Sequence, residues 1–206
     1  MASAIITPIS GLCNGDRMDR DEFLRRWELI PELKNAELID GVVYLPSPVS
    51  RNHGRFDSLI ALWIGFYAAR RGGLEVLSNT TWLMLNSSPQ PDIALLREQR
   101  RKGTGYPDAL PELIVEICHS SRAYDLGPKL DLYRRAGVAE YITVLLEEER
   151  VEWRILKSRR YVLLAADAGG LLKSPLQRGL WLDPAALFRE DSRALLAALE
   201  AGSASV

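Results

Sequence analysis

Apolar residues recur along this chain in two rhythms. Phe56, Leu59, Ile60, Trp63, Ile64 and Tyr67 repeat at three- and four-residue steps. That spacing predicts a helix over 52–70 with one apolar stripe, closed by Gly72-Gly73. A shorter helix is expected from Asp19 or Asp21 as cap, through Phe23, Leu24 and Trp27, to a stop near Pro31. Glu37-Leu38-Ile39-Asp40-Gly41-Val42-Val43-Tyr44-Leu45 reads as a hairpin, because Asp-Gly between two short apolar runs accepts the positive φ of a tight turn. Short apolar runs predict strands at Leu74 to Leu77, Thr81 to Leu85, Asp92 to Leu96 and Glu112 to Cys118. A helix over 125–136 follows, with Asp125 as N-cap, Pro128 in the first turn and Gly137 as its stop. Glu140 to Leu146, Val151 to Leu156 and Tyr161 to Ala165 predict antiparallel strands, Gly179 to Leu182 a short one, and Asp183-Pro184 opens a helical tail.

A hairpin, a helix, four strands, a helix and more strands make a mixed α/β fold around one sheet. The expected organisation is a flexible leader over 1–18, one domain over 19–190 and a helical tail over 191–206. The apolar stretch Ala194-Leu195-Leu196-Ala197-Ala198-Leu199 is a candidate packing surface between copies of the chain.

Composition narrows the function classes. The chain has 206 residues, 47% of them hydrophobic, and a net charge of -1. This is enough chain for one full core, and the balance excludes disordered, collagen-like and coiled-coil readings. Near-neutrality speaks against a protein that holds nucleic acid by bulk attraction, and leaves local basic patches open. Cys13 and Cys118 are too few for a disulfide framework or a four-cysteine zinc site, so a reducing cytoplasm is the expected compartment. The most apolar stretch, Leu59 to Ala69, is too short to span a membrane.

Four polar residues stand out against the pattern. Glu116 interrupts a core strand, and a buried carboxylate must be protonated, paired or bound to a metal. Asp92 follows Pro91 at the mouth of another strand, where a turn-capping Asp is the commoner role. Lys129 lies four residues after Asp125 on the expected helix, which by itself reads as a surface pair. Glu37 opens the hairpin, alone an ordinary strand-end residue. Together they say more. Two carboxylates at the ends of adjacent strands suit Mg2+ or Mn2+, with positions left for water and a phosphate. A lysine beside them orients or helps deprotonate the attacking water, or stabilises the charge of the phosphorane.

The segments 37–44, 91–94 (Pro-Asp-Ile-Ala), 111–117 (Pro-Glu-Leu-Ile-Val-Glu-Ile) and 124–141 resemble the Uma-type putative restriction endonuclease family, a bacterial branch of the PD-(D/E)xK nuclease superfamily. The order and spacing of all four blocks carry the resemblance, over roughly residues 19–190. It implies a restriction-endonuclease-like fold, a mixed sheet flanked by helices, and metal-dependent hydrolysis of phosphodiesters. By position, Asp92 is the Asp of the PD element and Glu116 the second carboxylate. Glu37 matches the family's early Glu, so the implied metal ligands are Asp92, Glu116 and Glu37. The superfamily's usual lysine position holds Cys118, and Lys129 matches the relatives whose lysine has moved to the next helix. The chain departs from the family at His119-Ser120-Ser121, where a Ser-Pro-Ser-like turn is usual. It departs again after Glu140-Tyr141, where Trp and a terminal Asp are usual.

The expected substrate is DNA, gripped by Arg97, Arg100, Arg101 and Lys102 in the loop between the two carboxylate-bearing strands. A second basic group, Arg154, Lys157, Arg159 and Arg160, reads as solvated surface. His53 stands before the long helix, where the family often carries His; it reads first as a helix-start residue, with an assisting role at the site as the alternative. His119 is a poor ligand for hard Mg2+. A homodimer or higher symmetric oligomer is expected of a nuclease that cuts two strands. The rival readings are a catalytically inactive nuclease-fold module for nucleic-acid binding or protein interaction, and a hydrolase of small phosphate esters.

Overall fold

The computed structural model describes residues 11–98, 105–119 and 122–205. Helix α1 (Arg20–Trp27) is capped by Asp19, whose side chain accepts from the Glu22 amide. Strands β1 (Glu37–Ile39) and β2 (Val42–Tyr44) form the first hairpin, turning through Asp40 and Gly41 at φ 50° and 77°. Residues 11–18, expected as part of a leader, run beside it instead. Gly15 N donates to Val43 O and Val43 N to Asp16 O, both at 2.8 Å, and Leu12 is buried.

Helix α2 (Arg51–Arg71) starts at Ser50 and stops at Gly72, whose φ is 69°. Strands β3 (Leu74–Ser78), β4 (Ile93–Arg97), β5 (Leu113–Cys118), β6 (Glu140–Leu145), β7 (Arg150–Lys157) and β8 (Arg160–Leu163) form one six-stranded sheet in that order. Every neighbour pair is antiparallel except β5 with β6. A parallel pair needs a crossover, and a helical one over residues 122–136 provides it. That crossover carries Lys129 onto one face of the sheet.

Strand alternation divides the core. Leu113, Val115 and Ile117 face α2 with Phe56, Ile60, Trp63 and Tyr67. Ile114 faces the other way, with Ile39, Leu132, Tyr133 and Tyr141. Beyond the sheet, β9 (Leu172–Lys173) pairs with β10 (Trp181–Leu182), then α5 (Pro184–Phe188) and α6 (Ser192–Ala204) close the α2 side. Leu195 and Leu199 are fully buried in that core. The apolar stretch 194–199 is thus largely used within its own chain, which removes the argument for it as a surface between copies.

Two other expectations fail for physical reasons. Thr81 to Leu85 is not a strand. Trp82 and Met84 are buried, which produces the alternating pattern, but Trp82 N donates to Pro89 O and Leu83 N to Pro107 O, so no ladder forms. Leu85, at φ 52°, then reverses the chain. Asp125 is not an N-cap either. The crossover begins as α3 (Arg122–Tyr124), widens into a π-turn over Asp125–Lys129 and continues as α4 (Leu130–Ala136). Pro128 lies inside that turn, has no N–H, and in an α-helix its ring would collide with the carbonyl four residues back. Widening the turn relieves the collision, and such turns are frequent at functional sites. Among the described residues no helix is long and apolar enough to cross a membrane.

Candidate active site

Asp92 and Glu116 interlock across β4 and β5. The register pairs Ile93 with Val115, so Asp92, just before β4, meets Glu116 near the end of β5. Ile117 N donates to Asp92 Oδ2 at 2.7 Å, and Asp92 N approaches Glu116 Oε2 at 3.4 Å. Alternation sends Glu116 to the α4 side of the sheet, where Tyr133 donates its hydroxyl to Oε1 at 2.8 Å.

Lys129 completes the cluster from the π-turn. Its Nζ is 2.7 Å from Glu116 Oε1, 3.0 Å from Glu37 Oε1 and 3.8 Å from Asp125 Oδ1. Glu37 Oε1 also accepts from Gln90 N. Four segments distant in sequence therefore meet at one point: the first hairpin, the β4 entry, β5 and the crossover. Tyr133 is the partner that sequence reasoning missed, and the Asp125–Lys129 pair, expected at the surface, is buried instead. The signal was available, because Asp125, Lys129 and Tyr133 follow one another at four-residue steps and so share one face.

The electrostatics follow from burial. Glu116 and Lys129 are both buried. Burial pushes the Glu116 carboxyl well up, and Lys129 opposes that while Asp125, Asp92 and Glu37 add to it. Burial alone would lower the Lys129 ammonium, but Glu116, Glu37 and Asp125 outweigh it and hold the group charged, well above the ordinary lysine value. Glu116, Glu37 and Asp125 all lie within 4 Å of the one ammonium, so acidic groups outnumber the base.

These groups line a cleft of about 280 Å³. Tyr44, Pro46, Pro48 and Val49 form its apolar wall, and Asn79, Gln90 and His119 also border it. His53 Nε2 stands 3.4 Å from Asp92 Oδ2, and the contact with Asp92 raises its pKa against the opposing effect of burial. His53, read from sequence as a helix-start residue, thus borders the candidate site. Its Nδ1 is buried and has no hydrogen-bond partner among the described residues.

Not every expected residue arrives here. Among the described residues, no three His, Cys, Asp or Glu side chains are grouped to hold a metal ion. Glu37, expected as a third ligand, lines the cleft, with its Oε1 on Lys129 and the Gln90 amide. Arg97, expected at the cleft, ends β4 five residues from Asp92, about 17 Å away at 3.3 Å per residue. It shares the parity of Ile93 and Leu95, so it faces the α2 side, and it pairs with Glu112 at 2.6 Å. A β4–β5 antiparallel pair necessarily puts its connecting loop at the end away from Asp92 and Glu116. Arg100, Arg101 and Lys102 lie outside the described residues.

A six-stranded mixed sheet whose parallel pair is bridged by a helical crossover, with interlocked carboxylates and a buried lysine at one cleft, defines a restriction-endonuclease-like fold. The chain belongs to the Uma2 family, described as putative restriction endonuclease, which matches residues 20–185. It is also similar to the crystal structure of a putative nuclease belonging to DUF820 from Anabaena variabilis. That similarity has a TM-score of 0.67 and 18% sequence identity, and covers 84% of this chain and 98% of the other. At this identity the likeness is one of fold. No curated protein matches the chain.

Proposed function

We propose that this chain is a metal-dependent endonuclease that hydrolyses DNA phosphodiester bonds at the Asp92–Glu116–Lys129 cleft. The observation that supports it best is the meeting of these three side chains at one cleft, in a chain of a nuclease family. Cutting both strands suits a two-fold symmetric pair of chains.

The donor set fits Mg2+ or Mn2+. Asp92 and Glu116 offer oxygen ligands alone, in a cluster where acidic groups outnumber the base. Mg2+ commonly takes only one or two carboxylates, the rest of its shell being water and substrate phosphate. A divalent ion there would polarise the phosphoryl group and acidify a water. The chain's residues do the rest. Ile117 N fixes Asp92, and Tyr133 fixes Glu116. Lys129, held charged, is a donor and not a base: it orients the attacking water and offsets the charge growing on the phosphoryl oxygens. Glu37 positions Lys129 from the hairpin side. Water attack on phosphorus then displaces one strand end as a hydroxyl and leaves the other as a phosphate monoester.

The test is incubation of plasmid and single-stranded DNA with Mg2+ or Mn2+, comparing wild type with Glu116→Gln and Lys129→Ala. The expected result is metal-dependent cleavage that falls by about 100-fold or more in each variant. No cleavage and no metal binding by the wild type would overturn the enzyme reading. Cleavage indifferent to both substitutions would overturn the residue assignment.

A further inference from the structure

Arg134, Arg154, Arg159 and Arg160 surround a second concavity, of about 570 Å³, between α4 and the β7–β8 turn. Its shape is fixed by the backbone. Ser158 and Arg159 have φ of 46° and 65°, the twist of a two-residue hairpin. Arg134 Nη1 donates to the Arg159 carbonyl at 3.1 Å, and the Tyr161 hydroxyl to Val138 O at 2.9 Å. These bonds tie the turn to α4 and to the chain beyond it.

The charge of the concavity is only partly balanced. Arg134 pairs with Asp131 and Arg154 with Glu152. Arg159 and Arg160 have no acidic partner among the described residues. Two uncompensated cations gathered on a fixed turn repel one another, and an anion seated between them relieves that repulsion.

The concavity stands on the same side of the sheet as Glu116 and Lys129. Glu116, Thr143 and Glu152 are in register across β5, β6 and β7. Arg154, two residues beyond Glu152, points to that same side and donates to Thr143 Oγ1 at 2.9 Å. At 4.8 Å per strand and 3.3 Å per residue, the Arg154 and Glu116 backbones are about 12 Å apart. That is of the order of the major-groove width of B-DNA, about 12 Å. Leu130, the residue after Lys129, forms part of the wall.

We propose that this arginine pocket holds a backbone phosphate of the same DNA whose scissile phosphate occupies the cleft. The inference rests on the nuclease reading above. Guanidinium groups match phosphate oxygens in pairs, and phosphate contacts set register and orientation without reading sequence. The pocket thus takes over the role that Arg97 cannot fill from the opposite face of the sheet.

The test compares wild type, an Arg159→Asn/Arg160→Gln double variant, and a control double variant, Arg189→Gln/Arg193→Gln, on the α5–α6 side. Asn at 159 tolerates the positive φ, so charge is removed without added strain. Binding of a duplex is read by fluorescence anisotropy in Ca2+ across a salt series, and cleavage kinetics in Mg2+. In the Arg159/Arg160 variant the slope of log K against log[salt] should become shallower by about 0.9, the share of the one lost phosphate contact. Affinity should fall and KM rise roughly tenfold at moderate salt, with kcat kept. The control should match wild type. A wild-type slope in the Arg159/Arg160 variant, or an equal loss in the control, overturns the phosphate pocket and leaves the nuclease reading intact. A wild type that neither binds nor cleaves DNA overturns the nuclease reading, and this inference with it.

Discussion

Lys129 Nζ stands 2.7 Å from Glu116 Oε1 and 3.0 Å from Glu37 Oε1, so one buried ammonium ties the crossover to the central strand and to the first hairpin. Removing one partner of such a pair leaves uncompensated buried charge. Lys129→Met should therefore lower unfolding free energy by about 3–5 kcal/mol, while Lys129→Met with Glu116→Gln should recover much of that loss. Urea unfolding of the two variants measures it. A double variant as unstable as the single one would contradict the pairing.

Tyr133 donates to the same Glu116 oxygen, at 2.8 Å and fully buried. Tyr133→Phe keeps the ring and removes the donor. It should destabilise the chain by about 1–3 kcal/mol, as for a hydrogen bond to a buried charged group. It should also slow cleavage, because Glu116 loses the contact that fixes its rotamer. Urea unfolding and single-turnover cleavage together check both effects, and an unchanged cleavage rate would remove Tyr133 from a positioning role.

What the sequence revealed depended on how local the cause was. Asp40-Gly41 announces its turn by itself, and Glu116 betrays its special position by interrupting an apolar strand. The grouping of Glu37, Asp92, Glu116 and Lys129 is implied by the family resemblance, carried by the order and spacing of its four blocks. The misses are non-local. Pro128 in a first turn and Pro128 in a π-turn look alike until Lys129 is seen reaching Glu116. Arg97 was expected in the loop after the Asp92 strand but is the last residue of β4, and only the antiparallel register shows that this end of the strand lies away from Asp92 and Glu116. Thr81 to Leu85 alternates because Trp82 and Met84 pack inward, which periodicity cannot tell from a paired strand.

Gly202 gives a prediction of sign. In a helix interior Gly→Ala ordinarily stabilises by about 1 kcal/mol. On α6, however, a Cβ at 202 would collide with Gly179 O and meet the Trp181 ring at 2.7 Å. Gly202→Ala should instead destabilise, by about 1–3 kcal/mol, as overpacking does. A raised thermal midpoint would show that α6 does not dock this closely.

Glu140 predicts a pH dependence. It is buried, accepting from Trp153 Nε1 and Ser174 Oγ, and burial raises its pKa although those donors partly oppose it. Above the unfolded carboxyl value, about 4.3, the folded chain holds this proton more tightly than the unfolded chain does. Its contribution to stability therefore falls as pH rises from there through the folded value. Unfolding free energies of wild type minus Glu140→Gln should decline across that window. A difference that stays flat or climbs would contradict the burial effect.

If Asp92 and Glu116 together make a divalent-metal centre, calorimetric titration of Mn2+ into wild type and Asp92→Asn will show it. A saturable binding heat is expected in the wild type, and its loss in Asp92→Asn. No heat in the wild type, or the same isotherm in both, would contradict it.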